Sequence, residues 1–168
     1  MKGVVFFSSK YGSTAQYAQW IAQATSLPAC DIDETRVSLS EFDFLVLGSP
    51  VIYFKPMFRR WVKRNLDGIL ARPTLFFTVS GAGAGPKLDG WLENSLPASF
   101  MSHATHVALR GRQDPRELTR FDRTMLIIAG LFNPDRKAAK DEMKGFDSMD
   151  KASIGPIVEK IRDLQTNA

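Results

Sequence analysis

The chain has 168 residues, is 44% hydrophobic and 24% charged, and carries a formal charge of +4. That length suggests one domain with a sizeable buried core, and no apolar run approaches the roughly 20 residues that span a bilayer. A single cysteine, Cys30, excludes an intrachain disulfide and a cysteine-built metal cluster, and the mild basic excess in Lys55–Arg64 and Arg110–Arg123, with no recognised binding module, does not point to nucleic acid.

Lys2–Phe7 is an apolar run without alternation, the pattern of a parallel strand covered on both faces. Its apolar part, Val4–Phe7, is too short for the core of a secretory signal, so a cytoplasmic location is expected. Ser8–Thr14 reads Ser-Ser-Lys-Tyr-Gly-Ser-Thr, and Thr14–Ala24 then sets Tyr17, Ala18, Ile21 and Ala22 on one helical stripe. A buried strand, a hydroxyl-rich turn and a helix N-terminus make an anion site. The first helical N–H groups lack intrahelical partners, the helix dipole adds partial positive charge, and the hydroxyls add donors for a phosphate. The loop has neither the Gly-x-Gly-x-x-Gly dinucleotide turn nor the Gly-Lys-Ser/Thr of a Walker loop. Read without a ligand, it is a capped helix with Ser13 or Thr14 as N-cap.

Pro28 closes this unit. Ala29–Thr35 reads as a weak edge strand, with Asp31, Asp33 and Glu34 exposed and Cys30 a small buried hydrophobe. Asp43–Ser49 is the strongest strand and its exit. Phe58, Trp61, Val62, Leu66, Ile69 and Leu70 define a helix over Pro56–Leu70, with Pro56 in the first turn. Arg59, Arg60, Lys63 and Arg64 form its wet face, for solubility or docking. Pro73–Ser80 is the fourth strand, Gly81–Pro86 a loop, and Lys87–Leu96 a helix. Ala104–Leu109 is the fifth strand. Leu118–Leu131 is a markedly apolar helix, most simply core; its flanking Arg116, Arg120 and Arg123 also allow a membrane-surface or quinone-side role. Asn133–Asp150 reads as a polar loop and Ile154–Leu164 as a final amphipathic helix.

Strands alternating with helices predict an α/β doubly wound three-layer sandwich, with a five-stranded parallel sheet of order 2-1-3-4-5. Ligands then bind at the carboxyl ends where the order reverses, so the loops after the first, third and fourth strands are expected to meet. Other chemistry is poorly supported. His103 and His106 have no carboxylate or cysteine nearby to complete a metal set, and Ser49 and Ser80 lack the Gly-x-Ser-x-Gly setting of a nucleophile.

The Ser8–Thr14 loop resembles the phosphate loop of flavodoxins, which holds the terminal phosphate of FMN. Val5-Phe6-Phe7, then Ser9, Gly12, Thr14, Ala18 and Ile21 fall where the flavodoxin signature has those residue types. The resemblance implies a flavodoxin-like fold with FMN as cofactor. It places Ser9, Lys10, Tyr11, Gly12, Ser13 and Thr14 at the phosphate. Around the ring it places Ser49, Pro50, Val51, Tyr53 and Phe54 from the third-strand exit, and Ser80, Gly81, Ala82 and Gly83 from the fourth. Tyr53 or Phe54 would stack on the isoalloxazine, and the glycine-rich loop would let the backbone approach it. No catalytic acid or base is required, since the flavin carries the redox chemistry.

Asp43–Gly48, the Tyr53 loop, the helix with Phe58 and Val62, and Pro73–Val79 are similar to a flavodoxin branch that includes menaquinone-dependent protoporphyrinogen oxidase. Ala108-Leu109-Arg110-Gly111, Phe121-Asp122-Arg123 with Leu126 and Ile127, and Asp135-Arg136-Lys137 resemble later parts of the same branch. The chain departs from it in two places. Phe54 stands where a glycine often follows the ring-stacking tyrosine, and the short, glycine-rich Ser80–Asn94 region lacks a longer basic insertion. The expected function is an FMN-dependent oxidoreductase that passes electrons from a reduced donor to a quinone or similar acceptor, with peripheral membrane contact as an option. The alternatives are a one-electron carrier, a class usually acidic where this chain is basic, and a non-enzymatic FMN-binding module.

Overall fold

The computed structural model, which describes residues 1–34, 36, 38–132 and 143–166, resolves the alternating pattern into a parallel sheet. Its strands are β1 (Gly3–Phe7), β2 (Ala29–Asp31), β3 (Phe44–Ile52), β4 (Lys55–Pro56), β5 (Thr74–Ser80) and β6 (Thr105–Arg110). The order β2-β1-β3-β5-β6 is the expected 2-1-3-4-5, with the short β4 added antiparallel to the end of β3. In register, Val5 stands beside Val46 on one side and Ala29 on the other, and Leu47 beside Phe76. The helices are α1 (Ser13–Thr25), α2 (Arg59–Arg64), α3 (Leu66–Leu70), α4 (Pro86–Glu93), α5 (Ala98–His103), α6 (Arg120–Phe132) and α7 (Gly155–Thr166).

Side chains alternate across the sheet and feed two cores. Val5, Phe44, Val46, Phe77 and Val79 pack with Tyr17 and Ile21 of α1 and Ile157 and Ile161 of α7. Val4, Phe6, Leu45, Leu47 and Phe76 pack with Val62, Ile69, Leu88 and Phe100 of α2, α3, α4 and α5. Both faces are therefore covered, which is why the strand sequences are continuously apolar. The fit is close: a Cβ on Gly48 would lie 2.2 Å from Cζ of Phe77. Cys30 is half-buried against the second core, and burial pushes its thiol pKa up.

The structure corrects several local expectations. Pro56 is not in a helical first turn; it sits in β4 opposite Val51, because the chain reverses at Tyr53 and Phe54. The helix expected over Pro56–Leu70 is two short ones. They part at Asn65, where the backbone leaves helical geometry and the side-chain amide donates to the Trp61 carbonyl at 2.8 Å. The edge strand ends at Asp31, and Thr35 lies outside the described residues. Helix α5 was not expected. Part of Asn133–Asp150 is a strand: β8 (Phe146–Asp147) pairs antiparallel with β7 (Arg112–Gln113), while Asp135, Arg136 and Lys137 lie outside the described residues.

The largest correction concerns α6. It joins neither core: Phe121 is 67% exposed and Leu131 78%. With both sheet faces occupied by other helices, its apolar residues have no sheet to cover, and the helix roofs the cavity at the strand ends instead.

His103 and His106 are each held within the fold. The ring of His103 donates to the Arg72 carbonyl at 2.7 Å, and that of His106 lies 2.9 Å from the Thr78 hydroxyl. Burial lowers the His106 pKa below its ordinary 6.5, outweighing the opposing charge of Asp89. The folded ring therefore resists a proton that the unfolded ring accepts. Stability should be full above about pH 7 and decline as the pH falls through the ordinary histidine range. Urea unfolding at pH 7.5 and 5.5 should show this decline, and His106→Gln should reduce it.

Candidate functional site

β1 and β3 are neighbours, paired up to Phe7 and Gly48, yet the chain leaves them toward opposite faces of the sheet, α1 on one side and α2 on the other. A cavity of about 460 Å³ opens between these exits. The three loops expected to converge do so there. Ser9, Lys10, Tyr11, Ser13 and Thr14 line it from the first loop, and Pro50, Val51, Tyr53 and Phe54 from the second. Ser80, Gly81 and Ala82 line it from the third. Gly12, Ser49 and Gly83 do not line it. Ser49 is fully buried behind the wall, its hydroxyl donating to the Pro50 carbonyl at 3.0 Å and accepting the Phe58 N–H at 3.2 Å. Gly83 lies against the side chain of Arg110.

Gly12 starts α1 with φ 85°, a left-handed conformation that favours glycine, and has no side chain to cap the helix; from the loop before it, the Ser9 hydroxyl accepts the Ala15 N–H at 3.4 Å. Ser13 or Thr14 as the N-cap is thereby ruled out; both are inside the first turn. Three hydroxyls nearby are buried and without a hydrogen-bond partner: Ser8 and Thr14, each 1% exposed, and Ser80, 7% exposed. A buried hydroxyl left unpaired costs about 1–3 kcal/mol. Three such donors near a helix N-terminus whose cap residue is glycine fit a ligand that supplies acceptors and negative charge, as the phosphate of FMN does.

The second loop is a two-residue turn from β3 into β4, with Tyr53 at φ 49° and Phe54 at φ 63°. Such turns usually take asparagine and glycine; bulky residues there cost roughly 1–3 kcal/mol each. Aromatic contacts hold them in place. Phe54 packs on Trp91 at 4.9 Å between centroids, and the Lys87 ammonium lies 5.4 Å over the Trp91 ring. Tyr53 meets Phe121 edge-on at 6.4 Å. In the third loop, a Cβ on Gly81 would come within 2.9 Å of the Phe146 ring, so the loop backbone forms part of the wall beneath that ring.

Asp122, on α6, is 7% exposed and joins these parts. Its carboxylate pairs with the Lys10 ammonium at 2.5 Å and accepts hydrogen bonds from the hydroxyls of Tyr11 and Tyr53. Burial alone would raise its pKa, but Lys10 and the two phenols more than reverse this and hold the carboxyl well below the usual range. Burial and the neighbouring carboxylate push the Tyr53 phenol up, and the bond to Asp122 raises the Lys10 pKa. Both cation and anion thus stay charged across the physiological range.

Trp91, Asp122 and Phe146 were not among the residues expected at the ring or phosphate. Asp122 carried a readable signal: a lone carboxylate on the stripe Leu118, Met125, Leu126 and Ala129, which faces the cavity. Phe146 is an aromatic within a polar segment. Among the described residues, no group of three or more His, Cys, Asp or Glu is placed to hold a metal.

A family model for the flavodoxin domain matches residues 4–130. No curated protein matches significantly. Among solved structures, a flavodoxin from the domain Archaea is similar at 16% identity, covering 84% of this chain and 100% of its own, with a TM-score of 0.44. A WrbA-like flavodoxin protein from Agrobacterium tumefaciens is 17% identical, covering 83% of this chain and 97% of its own, with a TM-score of 0.49. The Trp repressor binding protein from Bacillus subtilis is 13% identical, covering 80% and 99% respectively, with a TM-score of 0.49.

If the unpaired hydroxyls serve a phosphate, Thr14→Val should leave the ligand-free protein as stable as before or more so. It should weaken FMN binding about tenfold or more, the worth of one hydrogen bond to a charged group. Thermal unfolding and a flavin fluorescence titration check the two halves. Lost stability with unchanged affinity would contradict the assignment.

Proposed function

The chain belongs to the flavodoxin domain family and its cofactor is FMN, and from this premise we propose that it is an oxidoreductase delivering electrons to a quinone or a similarly flat, apolar acceptor. FMN supplies the redox chemistry, accepting and releasing the electrons. The side chains bind and enclose. The hydroxyls of Thr14 and Ser80, which line the cavity, and the N-terminus of α1 would hold the phosphate, with the unpaired Ser8 hydroxyl buried at the start of the same loop, and Tyr53 would wall the ring.

The observation that carries the reading is the inner face of α6 together with Leu118 just before it. Leu118, Met125, Leu126 and Ala129 roof the cavity whose floor is the phosphate loop and the Tyr53 turn. An apolar roof excludes water and favours an apolar acceptor. The outer face supports approach to a lipid surface, where quinones reside. Phe121, Ile128 and Leu131 are exposed beside Arg116, Arg120 and Arg123. No helix among the described residues is long and apolar enough to cross a membrane. The net charge of +4 favours this reading over a carrier that docks by acidic charge. A protoporphyrinogen-oxidase-like role is the narrower form of the proposal, and its support is the sequence resemblance.

Photoreduced holoprotein mixed without oxygen with a water-soluble naphthoquinone should reoxidise at a rate that saturates with quinone. Leu126→Glu should slow this at least tenfold while FMN stays bound. A rate that never saturates and ignores Leu126→Glu would contradict the proposal.

A further inference from the structure

Among the described residues, Asp122 is the one buried charged side chain, and neither phosphate binding nor ring stacking explains it. Its carboxylate reaches residues far apart in sequence. Tyr11 is 111 positions away and Tyr53 is 69. Lys10 and Tyr11 belong to the phosphate loop, Tyr53 to the turn that faces the ring, and Asp122 itself to the roof.

Each of these groups needs an anchor its own backbone does not provide. Tyr53 sits at φ 49° and is 45% exposed, so its ring is fixed by what its hydroxyl and edges touch. Those contacts are Asp122 and Phe121, both on α6. Lys10 is a long, mobile side chain in an anion-binding loop, and its ammonium lies 2.5 Å from the Asp122 carboxylate. The first turn of α6 meets the floor through this carboxylate and through Tyr11, whose hydroxyl also accepts the Thr119 N–H at 3.4 Å. The Asp122 N–H donates to the Thr119 hydroxyl at 3.1 Å, which fixes the carboxylate at the start of the helix.

We propose that Asp122 is a positioning residue for the cofactor: one buried carboxylate sets Tyr53 for the flavin ring, holds Lys10 and Tyr11 in the phosphate loop, and docks α6 over both. The inference rests on FMN as the ligand of this cavity. Asparagine at this position keeps the shape and an acceptor but loses the charge that gathers Lys10 and the two phenols. The ring and phosphate halves of the site should loosen together.

Asp122→Asn should weaken FMN at least tenfold and change the visible bands and fluorescence quenching of the bound flavin. Tyr53→Phe should produce part of the spectral change. Added to Asp122→Asn, it should alter affinity less than twofold, because the two act through one contact. Hydrogen exchange of α6 in the FMN-free protein should speed at least tenfold in Asp122→Asn. Unchanged affinity and spectrum would overturn the proposal, and so would tighter FMN binding, which would make the carboxylate a competitor for the site. Should Asp122→Asn fail to fold, Lys10→Met and Tyr53→Phe, singly and together, carry the same test through their coupling; independent effects on FMN affinity would then overturn it. Absence of FMN binding by the unaltered protein would instead refute the cofactor assignment, while the FMN-free exchange experiment still reports whether Asp122 docks α6.

Discussion

The molecule is arranged around the reversal of direction between β1 and β3. The two strands are hydrogen-bonded neighbours, but α1 packs on one face of the sheet and α2 on the other. No single connection can cover both carboxyl ends, so a crevice must open there. Several unusual features of the described residues collect at that crevice: the glycine start of α1, three unpaired buried hydroxyls, a left-handed aromatic turn and a buried carboxylate.

The unpaired hydroxyls and the left-handed turn work against stability, whereas the fold favours the ionised Asp122 through Lys10 and the two phenols. Unpaired hydroxyls cost about 1–3 kcal/mol apiece, and a bulky residue at positive φ costs a similar amount. Against a typical net stability of about 5–15 kcal/mol, such a concentration is large. Two well-filled cores on either side of the sheet carry it. The strained turn is also useful. Its conformation sends Tyr53 toward α6 and Phe54 toward Trp91, so that one reversal of the chain builds two walls. A phosphate bound at the end of β1 would satisfy donors that the protein alone leaves unsatisfied.

Much of this was legible in the sequence because it depends on local chemistry. Val4–Phe7 followed by serines and a lone glycine defines a strand, a turn and a helix start with little competition. The sheet order followed from alternation, and the meeting of three loops followed from the order. The failures came where the outcome depends on the rest of the molecule. The apolar periodicity of residues 118–131 is the same for a core helix and for a roof; what decides is that other helices already cover both sheet faces. The reversal at Tyr53 and Phe54 lacks glycine or asparagine, so its turn chemistry is silent, and Pro56 was read as a helix start for that reason. Phe54 was visible as a residue standing where the resembled branch often has a glycine, and the turn holds it at a φ of 63°. Asp122 was legible as a charge on an apolar stripe, but its partners are 69 and 111 residues away and no local rule finds them.

The central claim is that the crevice is an FMN site built first around the phosphate. A calorimetric titration with FMN and with riboflavin, which differ by that phosphate, tests it most directly. The account predicts one FMN per chain, bound at least about a hundredfold more tightly than riboflavin, as expected if two or more charge-assisted hydrogen bonds form. Equal affinities, or no uptake of either flavin, would contradict it.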